Sequence, residues 1–287
     1  MKARVGPQHS ATAVRRAAGR LCSHAVLLAA AAAVGLPFFW MIATSLKSDV
    51  EVGLFPPVWI PASLQWNNFV EVWRAAPFGM FYVNSIVTTL SGLTLEIIIG
   101  ALSAYAFARI EFPRRDALFL VVLATMMIPG EMALVPNYLT LRHLGWINTY
   151  PGIVIPYVSC AFGCFLLRQA FLALPREIFD AAKIDGAGHL RILVSVAIPM
   201  VRPVVATFAL FLFIAKWNAY LWPMIVTNTW SMRTLPIGLV LVREAEGTLG
   251  WQHLMAASLF VLLPILIVFF IAQRQLIEGI ARGAVKG

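Results

Sequence analysis

The sequence predicts an all-α integral membrane protein with six transmembrane helices and with both termini in the cytoplasm. Three observations lead to this fold class. The mean hydropathy of +0.82 and the 12% share of charged residues make the chain far more apolar than soluble domains of similar length. Charge-poor stretches of membrane-crossing length recur along it, and the basic residues are concentrated in alternate connections between these stretches.

Six stretches are long enough to cross a bilayer, whose hydrocarbon core of about 30 Å requires roughly 20 apolar residues in a helix. Prolines and Glu131 interrupt the third and the fourth of them. The predicted spans run approximately over Leu21 to Thr44, Val83 to Phe107, Ala117 to Pro136, Ile153 to Phe171, Val204 to Val226 and Met255 to Ala272.

The orientation follows from the basic residues, because short loops rich in Lys and Arg remain cytoplasmic. With the N-terminus inside, most of the 22 Lys and Arg residues lie on the cytoplasmic side, and every inner connection contributes to this bias. The chain then divides into a cytoplasmic segment (1–20), a membrane domain (21–272) and a cytoplasmic tail (273–287). The net charge of +9 is explained by topology and by contact with lipid headgroups, and it gives little reason to expect nucleic acid as a partner.

Two outer connections are long. Residues 47–77 are rich in Pro and Trp, which is typical of a compact loop at the membrane interface. Residues 227–251 are about as long as a span but are broken by Pro236, Gly238 and three charged residues, so we expect an extramembrane loop there, named the outer loop below.

A charged, glycine-containing segment over about residues 174–203 separates two apolar runs on the cytoplasmic side. In "LPREIFDAAKIDG", Pro175 and Glu177 are typical of the first turn of a helix, and Gly186 predicts its end. The following "HLRILVSVAIP" predicts a second short helix that stops before Pro199. Two helices that meet at glycine form a protruding elbow, and its small residues suit docking into a groove of another protein.

This segment resembles the EAA loop of ABC importer permeases. The family pattern is Glu-Ala-Ala, three residues, Gly, nine residues and Ile-x-Leu-Pro. Asp180, Ala181 and Ala182 stand at the first three positions, Gly186 follows at the required spacing, and residues 196–199 read Val-Ala-Ile-Pro. Asp for Glu, Val for Ile and Ile for Leu are conservative departures from the pattern.

The resemblance extends along nearly the whole chain to permeases of maltose-type carbohydrate ABC importers, a group that also contains glycerol-phosphate permeases. The matching blocks are "NSIVTTL" (84–90), "SAYAFARIEFPRRD" (103–116), "MMIPGEMALVPNYLTLRHLGWINT" (126–149), "KWNAYLWP" (216–223), "TLPIGL" (234–239) and the terminal "GAVKG".

The resemblance implies a prokaryotic cell membrane protein that forms half of a heterodimeric pore with a second, homologous permease. It also implies two ATPase subunits and an extracytoplasmic solute-binding protein as partners. The sequence contains no Walker phosphate loop. We therefore expect that this chain is not an enzyme and binds no cofactor, and that ATP and Mg lie on the partner ATPases.

Three groups of residues receive roles from the resemblance. The coupling loop to the ATPase comprises Asp180, Ala181, Ala182, Ile184, Asp185, Gly186 and Ala187. Contact with the binding protein falls to Leu235, Pro236 and Gly238 of the outer loop. Contact of the tail with the ATPase falls to Gly283, Ala284, Val285, Lys286 and Gly287.

Polar and aromatic residues within the spans are candidates for the solute path, because ionisable groups in hydrocarbon usually face a bundle interior or water. The candidates are Asn84, Glu96, Asn218, Tyr220 and Trp222. Each has a structural alternative. Glu96 is as well explained as the partner of a basic residue, the two asparagines as bridges between helices, and the aromatic residues as an interfacial belt. Lys216 either extends toward the interface or neutralises an acidic neighbour.

Two other classes of membrane protein are weaker explanations. An ion-coupled secondary transporter often has inverted repeats and several intramembrane acids, and the sequence has no clear repeat and one well-placed acid, Glu96. A membrane enzyme requires clustered Asp, Glu or His, whereas the five histidines are scattered along the chain.

Overall fold

The computed structural model describes residues 8–158, 161–244 and 250–284, and this part of the chain is helical with no β-strand. In chain order its α-helices are α1 (Gln8–Ser45), α2 (Asp49–Val52), α3 (Asn67–Ala75), α4 (Phe78–Arg109), α5 (Arg115–Ala124), α6 (Leu134–His143), α7 (Tyr150–Val154), α8 (Ala161–Leu172), α9 (Arg176–Ile184), α10 (His189–Ile192), α11 (Ile198–Met200), α12 (Arg202–Trp217), α13 (Leu221–Val226), α14 (Leu235–Glu244) and α15 (Trp251–Ala284).

Three helices of the described chain are long and apolar enough to cross a membrane, namely Gly19–Ser45 within α1, all of α4, and Trp251–Gln273 within α15. They coincide with the first, second and sixth predicted spans. The third and fourth predicted spans correspond to bent pairs of shorter helices. A further bent pair, His189–Met200 with Arg202–Trp217, overlaps only the first part of the fifth predicted span, and the described residues contain up to six spans if each bent pair counts as one. The third span bends by 88° beside Pro129, where the sequence already has a break.

The fifth predicted span, Val204 to Val226, is wrong as one continuous helix. The chain leaves the helical path after Trp217, where the Asn218 side-chain amide donates a hydrogen bond to the Ile214 carbonyl at 2.8 Å. A new helix, α13, begins at Leu221, which places Pro223 in a first turn. Proline is tolerated there because the first-turn N–H groups have no partner within a helix.

The chain divides into two compact units, residues 1–72 with 246–259 and residues 73–245 with 260–287. In the first unit, side-chain hydrogen bonds hold the chain that follows α1. The Asn68 side-chain amide donates hydrogen bonds of 2.9 Å to the carbonyls of Ser45 and Lys47. Glu51 accepts from the backbone N–H groups of Ser48 and Ala62, and these bonds lower the pKa of its carboxyl.

The second unit is built around α4, which packs against α8, α12 and α14. Small residues on α4 permit this close packing. A Cβ added at Gly100 would lie 3.8 Å from both the Gly163 backbone carbon and the Phe208 ring. Helices in membranes associate through such small-residue contacts, because lipid provides no hydrophobic drive to bring them together.

The segment 174–203 forms a helical hairpin, as predicted. Pro175 occupies the N-cap position of α9, and the helix ends where Gly186 adopts a φ of +75°. The Gly186 N–H donates to the Lys183 carbonyl at 2.9 Å, and the Ala187 N–H donates to the Ala182 carbonyl at 3.0 Å. This pair of bonds is a Schellman C-cap, whose left-handed position favours glycine.

The return helix of the hairpin differs from the prediction that it stops before Pro199. It passes through a π-helical turn over Leu193–Ala197 and then continues as α11, which contains Pro199. Proline lacks an N–H and clashes with the carbonyl four residues earlier in an α-helix. The wider π turn, in which the Ile198 N–H donates to the Leu193 carbonyl, changes that register before the proline.

Candidate functional site

The turn of the 174–203 hairpin is exposed on the surface of the chain. The Ile184 side chain is 87% exposed, and Asp180, Ala181, Asp185 and Gly186 are also exposed. Two further residues assigned to this surface, Ala182 and Ala187, are half-buried against the core of the second unit. We call residues 180–187 the crest. It exposes one large apolar side chain on a backbone fixed by the cap at Gly186, which is a suitable shape for docking.

The base of the hairpin is fixed to the core. Phe179 is 3% exposed, and the Arg109 guanidinium lies 3.9 Å from the centre of its ring. The same guanidinium donates to the carbonyls of Phe171 and Leu174. The Tyr105 hydroxyl lies 3.2 Å from Nδ1 of His189. Helices α4, α8 and α9 are thus joined at the base of the hairpin.

A cavity of about 490 Å³ lies in the second unit, beside the N-terminal half of α4. Its wall combines one face of α4, the break between α12 and α13, and the chain after Pro129. The polar and aromatic wall residues are Ser85, Thr88, Glu96, Glu131, Tyr157, Lys216, Tyr220, Trp222 and Thr234.

An ion pair lies in the wall of this cavity. The Lys216 Nζ is 2.5 Å from Oε2 of Glu96, and both side chains are largely buried. The Lys216 ammonium also donates to the Tyr157 carbonyl at 3.3 Å. The sequence alternatives that pair Glu96 with a basic residue and Lys216 with an acidic neighbour are therefore confirmed. Glu96 nevertheless lines the cavity as well, so the structural and solute-path interpretations apply to the same residue.

Tyr220 and Trp222 also lie in the wall, as the solute-path prediction requires. The indole N–H of Trp222 is already paired within the chain, since it donates to the carbonyls of Gly152 and Ile153 at 3.2 Å. Its ring makes an edge contact with Tyr157 at a centroid distance of 5.2 Å. Trp222 can therefore offer a solute ring surface but not this donor.

The two asparagines occupy structural positions outside the cavity wall. The Asn84 amide donates hydrogen bonds of 2.9 Å to the carbonyls of Ser231 and Arg233, and its oxygen accepts one of 2.7 Å from Tyr150. Asn84 therefore ties the outer loop to α4. The Asn218 side chain, as described above, caps α12.

The outer loop is only partly available to a partner. Leu235 is fully buried, with its N–H donating to Ser85 Oγ at 2.8 Å. Gly238 is also buried, and an added Cβ would lie 2.5 Å from the Phe81 ring. Pro236 is half-buried. Within the described residues 227–240, the exposed stretch of the loop is residues 228–231, and it includes Trp230.

The remaining assigned residues belong to the C-terminal tail. Gly283 and Ala284 lie in the last turn of α15, whereas Val285, Lys286 and Gly287 lie outside the described residues. The solute-path prediction omitted six polar or aromatic wall residues, namely Ser85, Thr88, Glu131, Tyr157, Lys216 and Thr234. Lys216 had a usable signal, because an isolated cation within a span requires a partner. Glu131 had the same signal, as an ionisable residue within the third predicted span, whereas Tyr157 and the three hydroxyl residues had none.

Comparison with known proteins agrees with the permease family that the sequence blocks indicate. Residues 96–282 match the family described as the binding-protein-dependent transport system inner membrane component. A relative in Streptomyces coelicolor, the diacetylchitobiose uptake system permease protein NgcG, is 33% identical over 267 residues, covering 92% of this chain and 88% of the relative. The sn-glycerol-3-phosphate transport system permease protein UgpE of Pectobacterium atrosepticum is 31% identical over 265 residues, covering 90% of this chain and 94% of the relative.

A crystal structure of a bacterial ABC transporter for the acidic polysaccharide alginate contains a chain with a similar fold. The TM-score is 0.77 at 22% identity, and the match covers 95% of this chain and 99% of that chain. At this identity the likeness establishes a common fold, the all-α fold of a membrane permease. The resemblance inferred from the sequence blocks is confirmed, and the family role is transport rather than catalysis. The chain belongs to the inner membrane components of binding-protein-dependent transport systems, as a permease of the ABC importer type.

Proposed function

We propose that this chain forms one half of the pore of an ATP-driven importer for a sugar or sugar-like solute, and that the crest of the 174–203 hairpin docks on an ATPase subunit. One observation carries the proposal: the crest is exposed at Ile184 while the base of the same hairpin is buried at Phe179. A partner that moves the crest therefore moves the helices packed on the base, because close-packed interiors transmit displacement with little compression.

In the proposed mechanism, movement of the hairpin acts on the cavity beside α4. Glu96 in its wall and Tyr105 near the hairpin lie on one helix, α4, and nine residues of helix span about 14 Å. We assign the cavity to the solute path, with Glu96, Tyr220 and Trp222 as the residues of the original prediction that line it. Movement of the hairpin would shift α4 and expose the cavity to one side of the membrane at a time, which is alternating access.

The proposed complex contains a second, homologous permease, two ATPase subunits that bind ATP and Mg, and an extracytoplasmic solute-binding protein. The words of the family description support the binding protein, and the family assignment implies the second permease and the ATPase subunits. We place both termini in the cytoplasm of a prokaryotic cell, with the tail residues 283–287 near the ATPase. For the binding protein we propose contact through the exposed residues 228–231, which Leu235 and Gly238 support from below.

The proposal is tested by Gly186→Leu in the assembled complex. A bulky side chain at a φ of +75° strains the cap and enlarges the crest, so we expect normal insertion but loss of solute uptake per ATP hydrolysed. Gly145→Leu is the matched control, because Gly145 has a similar φ of +69° and equal free space but lies outside the hairpin. Normal coupled uptake by the Gly186 variant, or equal loss in both variants, would contradict the docking assignment.

A further inference from the structure

We infer that Glu96 determines the charge class of the solute. By binding Lys216, Glu96 keeps this ammonium group from pairing with an anionic solute. The cavity therefore selects uncharged polyhydroxylated solutes over phosphorylated or uronic-acid solutes. The inference rests on the proposed function, since it assigns a solute class to the same cavity. It goes beyond the relatives, whose names include both an uncharged disaccharide and a phosphate ester.

The first step of the argument is that Lys216 is held in place by both charge and packing. Its Nζ contacts Oε2 of Glu96 at 2.5 Å and the Tyr157 carbonyl at 3.3 Å. Its aliphatic stem lies against Gly92, where an added Cβ would be 3.1 Å from Cδ and 3.3 Å from Cε. Gly92 is one helical turn before Glu96, so α4 offers a groove and a carboxylate on the same face.

The second step is the charge balance of the wall. Two carboxylates, Glu96 and Glu131, stand against one ammonium, Lys216, among the described wall residues. Glu131 is exposed, and within the described ranges its carboxylate makes no hydrogen bond or ion pair with another residue. An anionic solute would therefore meet a wall with an excess of negative charge, and the repulsion is stronger in a partly desolvated cavity than in water.

The third step is that the wall suits an uncharged solute with hydroxyl groups. The hydroxyls of Tyr157 and Tyr220 make no hydrogen bond to any residue that the structure describes. Together with Trp222 these side chains also provide aromatic surface. Ligand sites commonly combine a largely apolar and aromatic wall with a few polar groups that fix orientation. Such a wall fits the alternating apolar and hydroxyl faces of a saccharide.

The experiment measures the electrostatic preference of the cavity without knowledge of the natural solute. Ala219, in the cavity wall beside Lys216, is replaced by cysteine in the assembled complex after Cys22, Cys160 and Cys164 are replaced by serine. The complex is placed in proteoliposomes. The introduced thiol is then treated with two methanethiosulfonate reagents of similar size, one with a trimethylammonium group and one with a sulfonate group. The ratio of the two reaction rates is measured relative to the same ratio for a small free thiol in solution.

We expect the cationic reagent to react faster in the complex that retains Glu96. Glu96→Gln frees Lys216 and should lower the cation-to-anion rate ratio by about tenfold, and Lys216→Met should raise it. Glu96→Asp keeps the charge and should leave the ratio near its starting value. Glu111→Gln is the matched control, because Glu111 is an exposed carboxylate that lies outside the cavity wall. General loosening of the fold changes both rates and not their ratio.

A starting ratio that favours the sulfonate, or an unchanged ratio in both Glu96→Gln and Lys216→Met, would overturn the inference. Failure of both reagents to reach the thiol in every nucleotide state would also overturn it, because the cavity would then be closed to solutes. Failure of the proposed function has a different signature. In that case the ratio shifts as expected, but ATP and loaded binding protein leave the reaction rate at position 219 unchanged.

Discussion

The guanidinium group of Arg109, at the last turn of α4, lies 3.9 Å from the centre of the Phe179 ring in α9. The contact joins the helix that lines the cavity to the helix that carries the crest. Because Arg109 also donates to the carbonyls of Phe171 and Leu174, it connects three helices at one point. We regard this point as the mechanical link of the permease.

Phe179→Ala should weaken this link. Removing a buried phenyl ring destabilises the packing by roughly 3 kcal/mol, and it leaves the exposed crest unchanged. We expect the complex to assemble and hydrolyse ATP while uptake per ATP falls by about tenfold, because the crest then moves without α4. Phe179→Leu, which retains most of the apolar volume, should preserve coupling. The test measures uptake and hydrolysis together in proteoliposomes. Uptake per ATP at the parent level in the alanine variant would contradict the role of the Arg109–Phe179 contact in coupling.

The Glu96–Lys216 pair should show strong coupling in a double-mutant cycle. Glu96→Gln or Lys216→Met alone leaves a buried charge without its partner, which costs roughly 3 kcal/mol. The double variant removes both charges, so its loss of stability should be smaller than the sum of the single losses. Thermal unfolding of the purified complex in detergent provides the measurement. Additive losses would indicate that the two side chains do not interact in the folded protein.

Asn84→Ala should release the outer loop from α4. The variant loses the hydrogen bonds to the carbonyls of Ser231 and Arg233 and the bond from Tyr150, each worth about 1 kcal/mol. A cysteine introduced by Thr234→Cys, buried in the parent protein, should then react faster with a thiol reagent. Asn218→Ala provides the comparison, because its amide bonds within its own helix. If the thiol at position 234 reacts at an unchanged rate in the Asn84 variant, Asn84 does not anchor the outer loop to α4.

Trp230→Ala should weaken the response to the binding protein. Trp230 is half exposed in residues 228–231, and its ring stacks on Phe81 at 6.1 Å. Exposed tryptophan is among the side chains most often responsible for binding energy at interfaces. We expect stimulation of ATP hydrolysis by loaded binding protein to fall several-fold, with basal hydrolysis retained. Trp66→Ala, at another exposed tryptophan, serves for comparison, and full stimulation of the Trp230 variant would remove this loop from the interface.

The parts of the fold that depend on local sequence could be predicted. A long apolar run defines a span wherever it stands, and the end of α9 at Gly186 follows from the requirement for a left-handed residue in the cap. The prediction that the return helix stops before Pro199 was wrong for a reason that is also local. The rule that helices end before proline does not account for a π turn that changes the hydrogen-bond register.

The candidate site depends on contacts between distant parts of the chain, which periodicity does not reveal. Glu96 and Lys216 each stood out as an ionisable residue in an apolar segment, but 119 residues separate them in the sequence. Their contact requires α4 and α12 to pack with Gly92 at the crossing. Leu235 was assigned to a partner from the resemblance to the family, yet the folded chain buries it, and its N–H donates to Ser85 Oγ.

The most direct test of the central claim is to tag this chain, extract it from the membrane in mild detergent, and identify the proteins that co-purify while assaying ATP hydrolysis on the same sample. The proposed importer predicts recovery of a second permease and a P-loop ATPase, with hydrolytic activity that loaded binding protein stimulates. Recovery of the chain alone, stable and without hydrolytic activity, would contradict the proposal that its crest docks on an ATPase.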